Sequence, residues 1–275
     1  MILQEKTLQK DGCEIHYWIT PDADGPWLVF LHGAGADHRM FVEQLPAVRD
    51  GYRLLLWDAR GHGRSRPMGG RFSIPLLVDD MLAILEREGI ERATFIGQSM
   101  GGNVAQEIVF HHPDKVDALV LIDCPCITRP LTLAEKIVLW ATPFFLRLYP
   151  WNLLTRSIAT SGALKPRVQQ YLLNAVRTVG KRDFVRISSA TAACLHADPD
   201  YRIPVPFLLV CGEQDNKGNI KKIAPAWAKR EPLCSFRWIP HAGHCANQDH
   251  PEMFNALLVS FLEKTLKERL VEKTE

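Results

Sequence analysis

The stretch Ala93–Gly102 reads Ala-Thr-Phe-Ile-Gly-Gln-Ser-Met-Gly-Gly, and the wider fold can be inferred from it. An apolar run typical of a buried strand stops at Gly97, and helical spacing of apolar residues begins directly after Gly101. Ser99 is therefore predicted at the apex of a sharp strand–turn–helix connection, where strained backbone projects its hydroxyl clear of both elements. The positions two before and two after this serine lie too close to other backbone for side chains, which explains both glycines. The pattern favours a nucleophilic serine over an ordinary glycine-rich turn.

Two apolar patterns alternate along the rest of the chain. Continuous apolar runs, as in strands buried on both faces, occur at Trp27–Leu31, Tyr52–Trp57, Ala93–Ile96, Ala118–Ile122, Phe207–Cys211 and Ser235–Ile239. Helical spacing occurs at Arg39–Val48, at Ile74–Glu88, after Ser99 and at about Pro251–Leu270. Each crossover is long enough for a parallel βαβ unit. We therefore predict an α/β fold with a mostly parallel central sheet flanked by helices.

A short antiparallel hairpin is predicted at one edge of this sheet. Lys6–Gln9 and Glu14–Thr20 both show the alternating pattern of strands. The dipeptide Asp11-Gly12 between them is typical of a tight two-residue turn.

The alternation of strands and helices stops after Cys124. From Thr132 to Ile187 only helical periodicities occur, interrupted by prolines and by Gly180. Strand character returns at Phe207. We therefore predict a core domain of residues 1–125 and 204–275. Residues 126–203 are predicted to form a helical cap, inserted between two core strands and lying over their carboxyl ends.

Composition excludes several classes of protein. The 275 residues are 47% hydrophobic and 23% charged, and the net charge of +2 gives no overall signal for a nucleic acid or a membrane. The seven cysteines are scattered, and Met1–Lys6 contains no apolar signal-peptide core. The longest uncharged apolar run, Ile137–Leu146, is too short to span a bilayer. We predict a cytoplasmic protein with no nucleic-acid partner and no integral membrane segment.

Four motifs resemble those of the α/β-hydrolase superfamily, in the order that the superfamily uses. They are His32-Gly33-Ala34-Gly35, Asp58-Ala59-Arg60-Gly61-His62-Gly63-Arg64-Ser65, the turn Gly97–Gly102 and Gly243-His244. The resemblance covers nearly the whole chain and is specific for the superfamily, but not for a substrate. It implies the α/β-hydrolase fold with a helical cap and a serine esterase-like or lipase-like activity. Haloalkane dehalogenases and epoxide hydrolases resemble this fold but carry Asp at the nucleophile, so Ser99 argues against them.

The resemblance also implies a Ser-His-Asp triad. A serine hydroxyl is a weak nucleophile until a histidine, itself oriented by a carboxylate, takes its proton. The superfamily's histidine follows the last strand, and this position corresponds to His244. Its acid follows the strand Phe207–Cys211 in a G-x-x-D motif, here Gly212-Glu213-Gln214-Asp215, which favours Asp215. Asp123 is the alternative, because some relatives carry the acid after the preceding strand.

The oxyanion of the tetrahedral intermediate needs two preorganised donors. By the resemblance these are the backbone N–H groups of Met100, directly after the nucleophile, and of Ala34, in the loop after the strand Trp27–Leu31. The side chain of His32 is expected to order that loop. The Asp58–Ser65 motif is expected to have an architectural role.

No metal or cofactor is predicted. His241 and His244 could be imagined as a metal pair, but no third ligand lies at a suitable spacing. Gly33-Ala34-Gly35 is not a dinucleotide fingerprint, because His38 stands where its last glycine would be.

These residues predict a serine hydrolase that cleaves a small to medium carboxylic ester-like substrate through an acyl-enzyme. Lactone, C–C bond and amide hydrolases share the same motifs and stay open as alternatives, as does a perhydrolase side activity. A hydrolase-like receptor that senses a ligand with little turnover is a further alternative. The expected partner is a small molecule with an apolar acyl or alkyl portion, and the charge of the predicted cap adds an anionic substrate as an option.

The predicted cap is basic and rich in aromatic residues. Between Ile127 and Ala190 there are ten Lys and Arg but only two Asp and Glu, a surplus of eight positive charges. Its large apolar cluster comprises Trp140, Phe144, Phe145, Leu146, Leu148, Tyr149 and Trp151. One interpretation is a solvated basic face with these side chains packed as core. The other is a lid with an apolar underside and a basic rim over Ser99, which would attract anionic substrates or dock on an anionic surface.

Overall fold

One sheet of eight strands organises the protein in a computed structural model that describes residues 3–21 and 24–272, with side chains described up to residue 265. Its strands are β1 (Gln4–Lys10), β2 (Cys13–Ile19), β3 (Trp27–Leu31), β4 (Arg53–Trp57), β5 (Ala93–Gln98), β6 (Val116–Ile122), β7 (Phe207–Gly212) and β8 (Cys234–Ile239). Their spatial order is β1-β2-β4-β3-β5-β6-β7-β8. The part of the N-terminal prediction that concerns Met1 and Ile2 lies outside the described residues.

The strand directions confirm a mostly parallel sheet with an antiparallel edge. β1 pairs with β2 and β2 with β4 in antiparallel fashion, whereas the neighbours from β4 to β8 are parallel. Lys10 pairs with Cys13, so only Asp11 and Gly12 form the turn, with φ of 48° and 74°. Positive φ at both central residues matches the right-handed twist of a hairpin, and this agreement explains why an Asp-Gly dipeptide occupies the turn.

The helices are α1 (Leu45–Val48), α2 (Ile74–Arg87), α3 (Met100–His111), α4 (Leu133–Leu148), α5 (Trp151–Gly162), α6 (Pro166–Val179), α7 (Lys181–Ala193), α8 (Ile220–Arg230), α9 (Ala246–Asp249) and α10 (Pro251–Glu272). The side chains of the last turns of α10 lie outside the described residues. No helix in the described ranges has both the length and the apolar character needed to cross a bilayer.

The single helix predicted over Arg39–Val48 is wrong. The segment forms a 3₁₀ turn, His38–Phe41, followed by the one-turn helix α1. Pro46 explains the interruption, because it has no N–H to donate to the carbonyl four residues earlier and fits only the first turn of a helix.

The core lies on both faces of the sheet, which explains why its central strands are apolar throughout. In β3, Val29 and Leu31 face one cluster of buried side chains, and Leu28 and Phe30 face the other. The first cluster includes apolar residues of α2, α3 and α8, and the second includes those of α10. A sheet covered by helices on both sides needs apolar residues at successive strand positions rather than at alternate ones.

The helical insertion, which we define as residues 126–203, contributes α4 to α7 between β6 and β7. Its proline positions differ in their effect: Pro150 and Pro166 lie where helices begin, whereas Pro143 lies inside α4. The insertion contacts loops that follow the parallel strands. Tyr171 Oη donates to a carboxylate oxygen of Asp37, in the loop after β3, at 3.2 Å.

Candidate active site

The turn at Ser99 has the strained geometry that a sharp strand–helix connection requires. Ser99 has φ of 49° and ψ of −112°, a conformation that side-chain-bearing residues rarely adopt and that costs about 1–3 kcal/mol. Its N–H donates to the carbonyl of Ile122 in β6 at 2.9 Å. A Cβ on Gly97 would lie 2.4 Å from the carbonyl oxygen of Gly101, and one on Gly101 would lie 1.9 Å from that of Leu31. The two glycines therefore permit the close packing that holds Ser99 in place.

His244 and Asp215 are brought together at the carboxyl edge of the sheet. Nδ1 of His244 lies 3.1 Å from Oδ2 of Asp215. The Asp215 side chain is fully buried and its Oδ1 accepts a hydrogen bond from the Lys217 N–H at 2.8 Å, whereas the His244 side chain retains 13% exposure. Since an ionised carboxylate only accepts hydrogen bonds, this contact assigns the proton of the neutral imidazole to Nδ1. Nε2 is then free to accept a proton.

Asp123 lies near Asp215 but has different partners. One of its carboxylate oxygens accepts from the N–H of Gly212 at 2.7 Å, and the other accepts from the N–H of Ala246 at 3.0 Å. The residue is buried, and burial, reinforced by the negative charge of Asp215, raises the pKa of Asp123 well above its usual value. Asp123 therefore joins the end of β7 to the segment that follows His244. Of these two aspartates, Asp215 is the one that contacts the imidazole.

Two further side chains, neither of them predicted from the sequence, hold the histidine loop. Gln98, the residue before Ser99, donates from Nε2 to the carbonyl of His244 at 2.7 Å. Asp249 accepts from the N–H of Gly243 at 2.8 Å and from the N–H of Leu164, in the insertion, at 2.9 Å. A buried amide beside the serine was a signal for Gln98. No local pattern distinguishes Asp249, since its partners come from distant segments.

The two predicted oxyanion donors belong to neighbouring segments. α3 begins at Met100, so its N–H is among the first four of the helix and has no intrahelical acceptor. The loop that carries Ala34 packs against the turn, because a Cβ on the preceding Gly33 would lie 2.1 Å from Oε1 of Gln98. Both N–H groups therefore lie on backbone that is fixed around Ser99.

His32 orders the loop after β3, as predicted from the sequence, and it also connects this loop to the one after β4. Its Nε2 accepts from the N–H of Ala59 at 3.0 Å, and its Nδ1 lies 2.8 Å from the carbonyl of Gly33. Burial lowers the pKa of His32 below its ordinary value, which keeps the ring neutral. In the Asp58–Ser65 motif, Arg60 makes a bidentate ion pair with Asp80 at 2.6 Å, and both side chains are fully buried. These contacts are architectural.

Two groups of three possible metal ligands occur within the described residues. They are Asp37, His38 and Asp58, and Asp123, Cys211 and Asp215. In the first group, Oδ1 of Asp58 already accepts from both the N–H and Nδ1 of His38 at 2.8 Å. In the second group, Asp123 and Asp215 accept the hydrogen bonds described above. Hydrogen bonds within the protein therefore account for the close approach of the side chains in both groups.

The sheet order and the serine at the β5–α3 turn define the class of protein. The chain belongs to the alpha/beta hydrolase family, whose profile matches residues 28–257. It is 25% identical over 260 residues to 3-oxoadipate enol-lactonase 2 of Acinetobacter baylyi, with 90% of this chain and 93% of that protein covered. It is 29% identical over 259 residues to an sn-1-specific diacylglycerol lipase of Mus musculus, with 88% and 82% covered.

The fold is also similar to that of solved structures. A thermophilic esterase from Thermogutta terrifontis superposes with a TM-score of 0.79 at 21% identity, covering 96% of this chain and 99% of that one. At this identity the likeness shows the fold alone. The family match and the relatives confirm the predicted α/β-hydrolase fold, and they identify the chain as a hydrolase.

Proposed function

We propose that the protein is a serine hydrolase that cleaves a small to medium carboxylic ester, with Ser99 as nucleophile, His244 as general base and Asp215 as the acid of the triad. The observation that carries this proposal is the 3.1 Å contact between His244 and Asp215, held beside the Ser99 turn by Gln98. The three groups follow β5, β7 and β8, and the carboxyl ends of parallel strands meet at one edge of a sheet.

Each group has a defined step in this proposal. Ser99 Oγ attacks the ester carbonyl carbon while Nε2 of His244 takes the hydroxyl proton. The N–H groups of Ala34 and Met100 stabilise the resulting oxyanion. When the intermediate collapses, the bond to the alcohol breaks and His244 gives its proton to the departing alkoxide. Water then attacks the acyl carbon and passes a proton to His244. When this second intermediate collapses, the bond to Ser99 Oγ breaks, His244 returns the proton to Oγ, and the carboxylic acid leaves.

We propose that the helical insertion caps this site and shapes the substrate pocket. The support is its contact with the loops at the carboxyl edge of the sheet. Leu164 donates to Asp249, beside the histidine loop, and a Cβ on Gly35 would lie 3.1 Å from the ring of Phe184 in α7. The substrate is a small molecule with an apolar acyl or alkyl portion. The positive charge of the insertion favours substrates with a remote carboxylate. The predicted cytoplasmic location stays part of this proposal.

A cyclic ester is the second candidate. The similarity to an enol-lactonase, a hydrolase of an internal ester, favours this substrate class. Ring opening of a lactone uses the same groups, because the leaving alkoxide takes the proton of His244 but stays attached to the acyl chain. Hydrolysis of the acyl-enzyme then releases one product that carries both the hydroxyl and the carboxylic acid.

Ser99→Ala tests the proposal. We expect the variant to fold as wild type and its turnover of p-nitrophenyl esters to fall by about 10⁴–10⁶-fold, because the three groups act as a unit. A fluorophosphonate probe should label wild type and the control Ser157→Ala, an exposed serine of α5, but not Ser99→Ala. Labelling that persists in Ser99→Ala would show that the nucleophile is another residue.

A substrate panel tests the ester assignment with the same wild-type enzyme. It contains esters, lactones and amides of matched size, and each ester is paired with an analogue that carries a remote carboxylate. We expect esters or lactones to exceed amides in kcat/KM, and the carboxylate advantage to shrink as salt rises, because ions screen exposed charges. Amide turnover above that of the esters would refute the ester assignment. Equal, salt-independent values within the ester pairs would refute an anionic preference.

A further inference from the structure

Helix α4 presents an apolar face to solvent. Its large apolar side chains are mostly exposed, reaching 84% for Trp140 and 74% for Leu133, and none of its residues is fully buried. The exposed set is Leu133, Ile137, Val138, Trp140, Phe144, Phe145 and Leu148. The interpretation of these aromatic residues as packed core is therefore wrong for this helix, because they lie on its outer surface. A contiguous apolar surface of this kind marks an interaction site.

The spacing of these residues makes one continuous face. Leu133, Ile137, Trp140, Phe144 and Leu148 are three or four positions apart and so lie on one side of the helix, with Val138 and Phe145 beside them. Over its 16 residues the helix is about 24 Å long at about 1.5 Å per residue. The opposite side of α4 packs against α7. We call the exposed side of α4, with these seven apolar residues, the α4 face.

Positive charge borders the α4 face. At about 100° per residue, Lys136 and Arg147 lie together along one edge of it, next to Trp140, and both are exposed. The two acidic residues between Ile127 and Ala190 are both in ion pairs, Glu135 with Arg129 at 2.5 Å and Asp183 with Arg186 at 3.4 Å. The edge of the α4 face therefore carries the positive charges of Lys136 and Arg147.

We propose that the α4 face docks the protein on an anionic lipid bilayer, with α4 lying in the plane of the interface. A basic edge and an apolar face with Trp and Phe are the features of helices that bind at membrane surfaces. At about 24 Å, with Lys136 and Arg147 on its exposed side, α4 is too short and too charged to span a hydrocarbon core of about 30 Å. It therefore lies on the membrane instead of crossing it.

Charge complementarity selects this occupant over a second copy of the chain. A symmetric dimer through the α4 face would bring two copies of the same basic surface together, and their like charges would repel. Anionic phospholipids attract the same surface, at about 1 kcal/mol or about fivefold in affinity for each Lys or Arg near the membrane. The proposal is independent of the chemistry at Ser99, because it depends on the outer side of the insertion alone.

Vesicle flotation tests the proposal with the full-length protein. The vesicles contain phosphatidylcholine alone or an equal mixture with phosphatidylserine, at about 20 mM and about 500 mM salt, which changes the Debye length severalfold around its physiological value. We expect binding to the mixed vesicles at low salt and weaker binding at high salt. The double variant Trp140→Ser, Phe144→Ser should bind about 100-fold more weakly, since burial of each aromatic side chain contributes roughly tenfold.

Two matched variants serve as controls. Leu233→Ser removes an apolar side chain that is 45% exposed outside the insertion, and Lys229→Glu reverses an exposed charge on α8. Both should bind vesicles as wild type does.

A charge-reversal variant tests the basic edge. Lys136→Glu combined with Arg147→Glu should lower binding to the mixed vesicles at least 25-fold, because each cation removed costs about fivefold in affinity. Circular dichroism of each variant establishes that it is folded.

Four outcomes would overturn the proposal. They are absence of binding to either vesicle, binding of the double aromatic variant equal to that of wild type, and equal binding of wild type to neutral and mixed vesicles. The fourth is a concentration-dependent dimer in light scattering that Trp140→Ser, Phe144→Ser abolishes, which would identify a second copy as the occupant of the α4 face.

Discussion

Replacement of each of the two neighbouring aspartates by asparagine should produce opposite signatures. In Asp215→Asn the amide keeps the size of the side chain but removes its charge. The amide can turn either its oxygen or its NH₂ group toward Nδ1 of His244. An NH₂ group in that position would favour the imidazole tautomer that carries its proton on Nε2. That tautomer cannot take the proton of Ser99. In the comparable serine protease case the loss of turnover is about 10⁴-fold, and we expect a loss of that order here.

Asp123→Asn should act on stability instead. The two carboxylate oxygens of Asp123 accept from the N–H groups of Gly212 and Ala246, at 2.7 and 3.0 Å. An amide has one acceptor oxygen, so one buried N–H loses its partner at a cost of about 1–3 kcal/mol. Because burial already raises the pKa of Asp123, loss of its negative charge is a smaller change than at Asp215. Turnover should fall by less than about tenfold, through slight displacement of the segment after His244.

The assay combines steady-state hydrolysis of a p-nitrophenyl ester with urea unfolding of the same preparations. Asp215→Asn should lose activity with a urea midpoint close to that of wild type. Asp123→Asn should shift the midpoint and keep most of its activity. A larger loss of turnover in Asp123→Asn than in Asp215→Asn would refute the reasoning and would identify Asp123 as the acid of the triad.

Two further predictions concern the backbone of the serine turn and the stability of the fold in acid. Gly101→Ala should destabilise the fold by at least about 3 kcal/mol in urea unfolding, because its Cβ would lie 1.9 Å from a backbone oxygen of β3. The control Gly70→Ala should stay within about 0.5 kcal/mol of wild type, because no atom outside the adjoining residues lies within 4 Å of the added Cβ. Equal effects would show that the turn relaxes. Burial, with a smaller electrostatic contribution from His32, lowers the pKa of His62 to about 3. Between about pH 6.5 and pH 3, His62 therefore binds a proton in the unfolded chain but not in the folded protein. Stability should therefore fall as pH falls through this window, and the loss between about pH 6.5 and 4.5 should be up to about 2.5 kcal/mol larger in wild type than in His62→Gln. A loss in His62→Gln equal to that of wild type would mean that His62 is charged in the folded protein.

Much of the architecture follows from local sequence patterns, because these patterns report on short-range geometry. The apolar runs predict the strands, since a strand covered on both faces needs apolar residues at successive positions. Asp11-Gly12 predicts the hairpin turn, since both of its residues tolerate positive φ. The glycines around Ser99 predict a sharp turn, and the structure shows the backbone atoms that would collide with side chains at Gly97 and Gly101.

The resemblance to the superfamily favours Asp215 over Asp123 as the partner of His244, but local pattern alone leaves both aspartates open. Both aspartates follow parallel strands, and both are buried within reach of the same loop. The tertiary structure, which sets where the ends of β7 and β8 lie, shows which aspartate contacts the imidazole. Asp123 accepts hydrogen bonds from two backbone N–H groups, and Asp215 contacts His244. The hydrogen bond between Asp249 and the N–H of Leu164 likewise joins residues that are 85 positions apart in the chain.

Helix α4 also shows that local sequence does not determine burial. The sequence of this helix is as apolar as that of a buried helix, and its pattern is compatible with a core position. Whether a helix is covered depends on the neighbours that the fold places around it, and α4 has α7 on one side and solvent on the other. A local pattern reports on the conformation of its own segment, whereas burial and partners depend on residues that are distant in the chain and become neighbours only when the sheet and the insertion assemble.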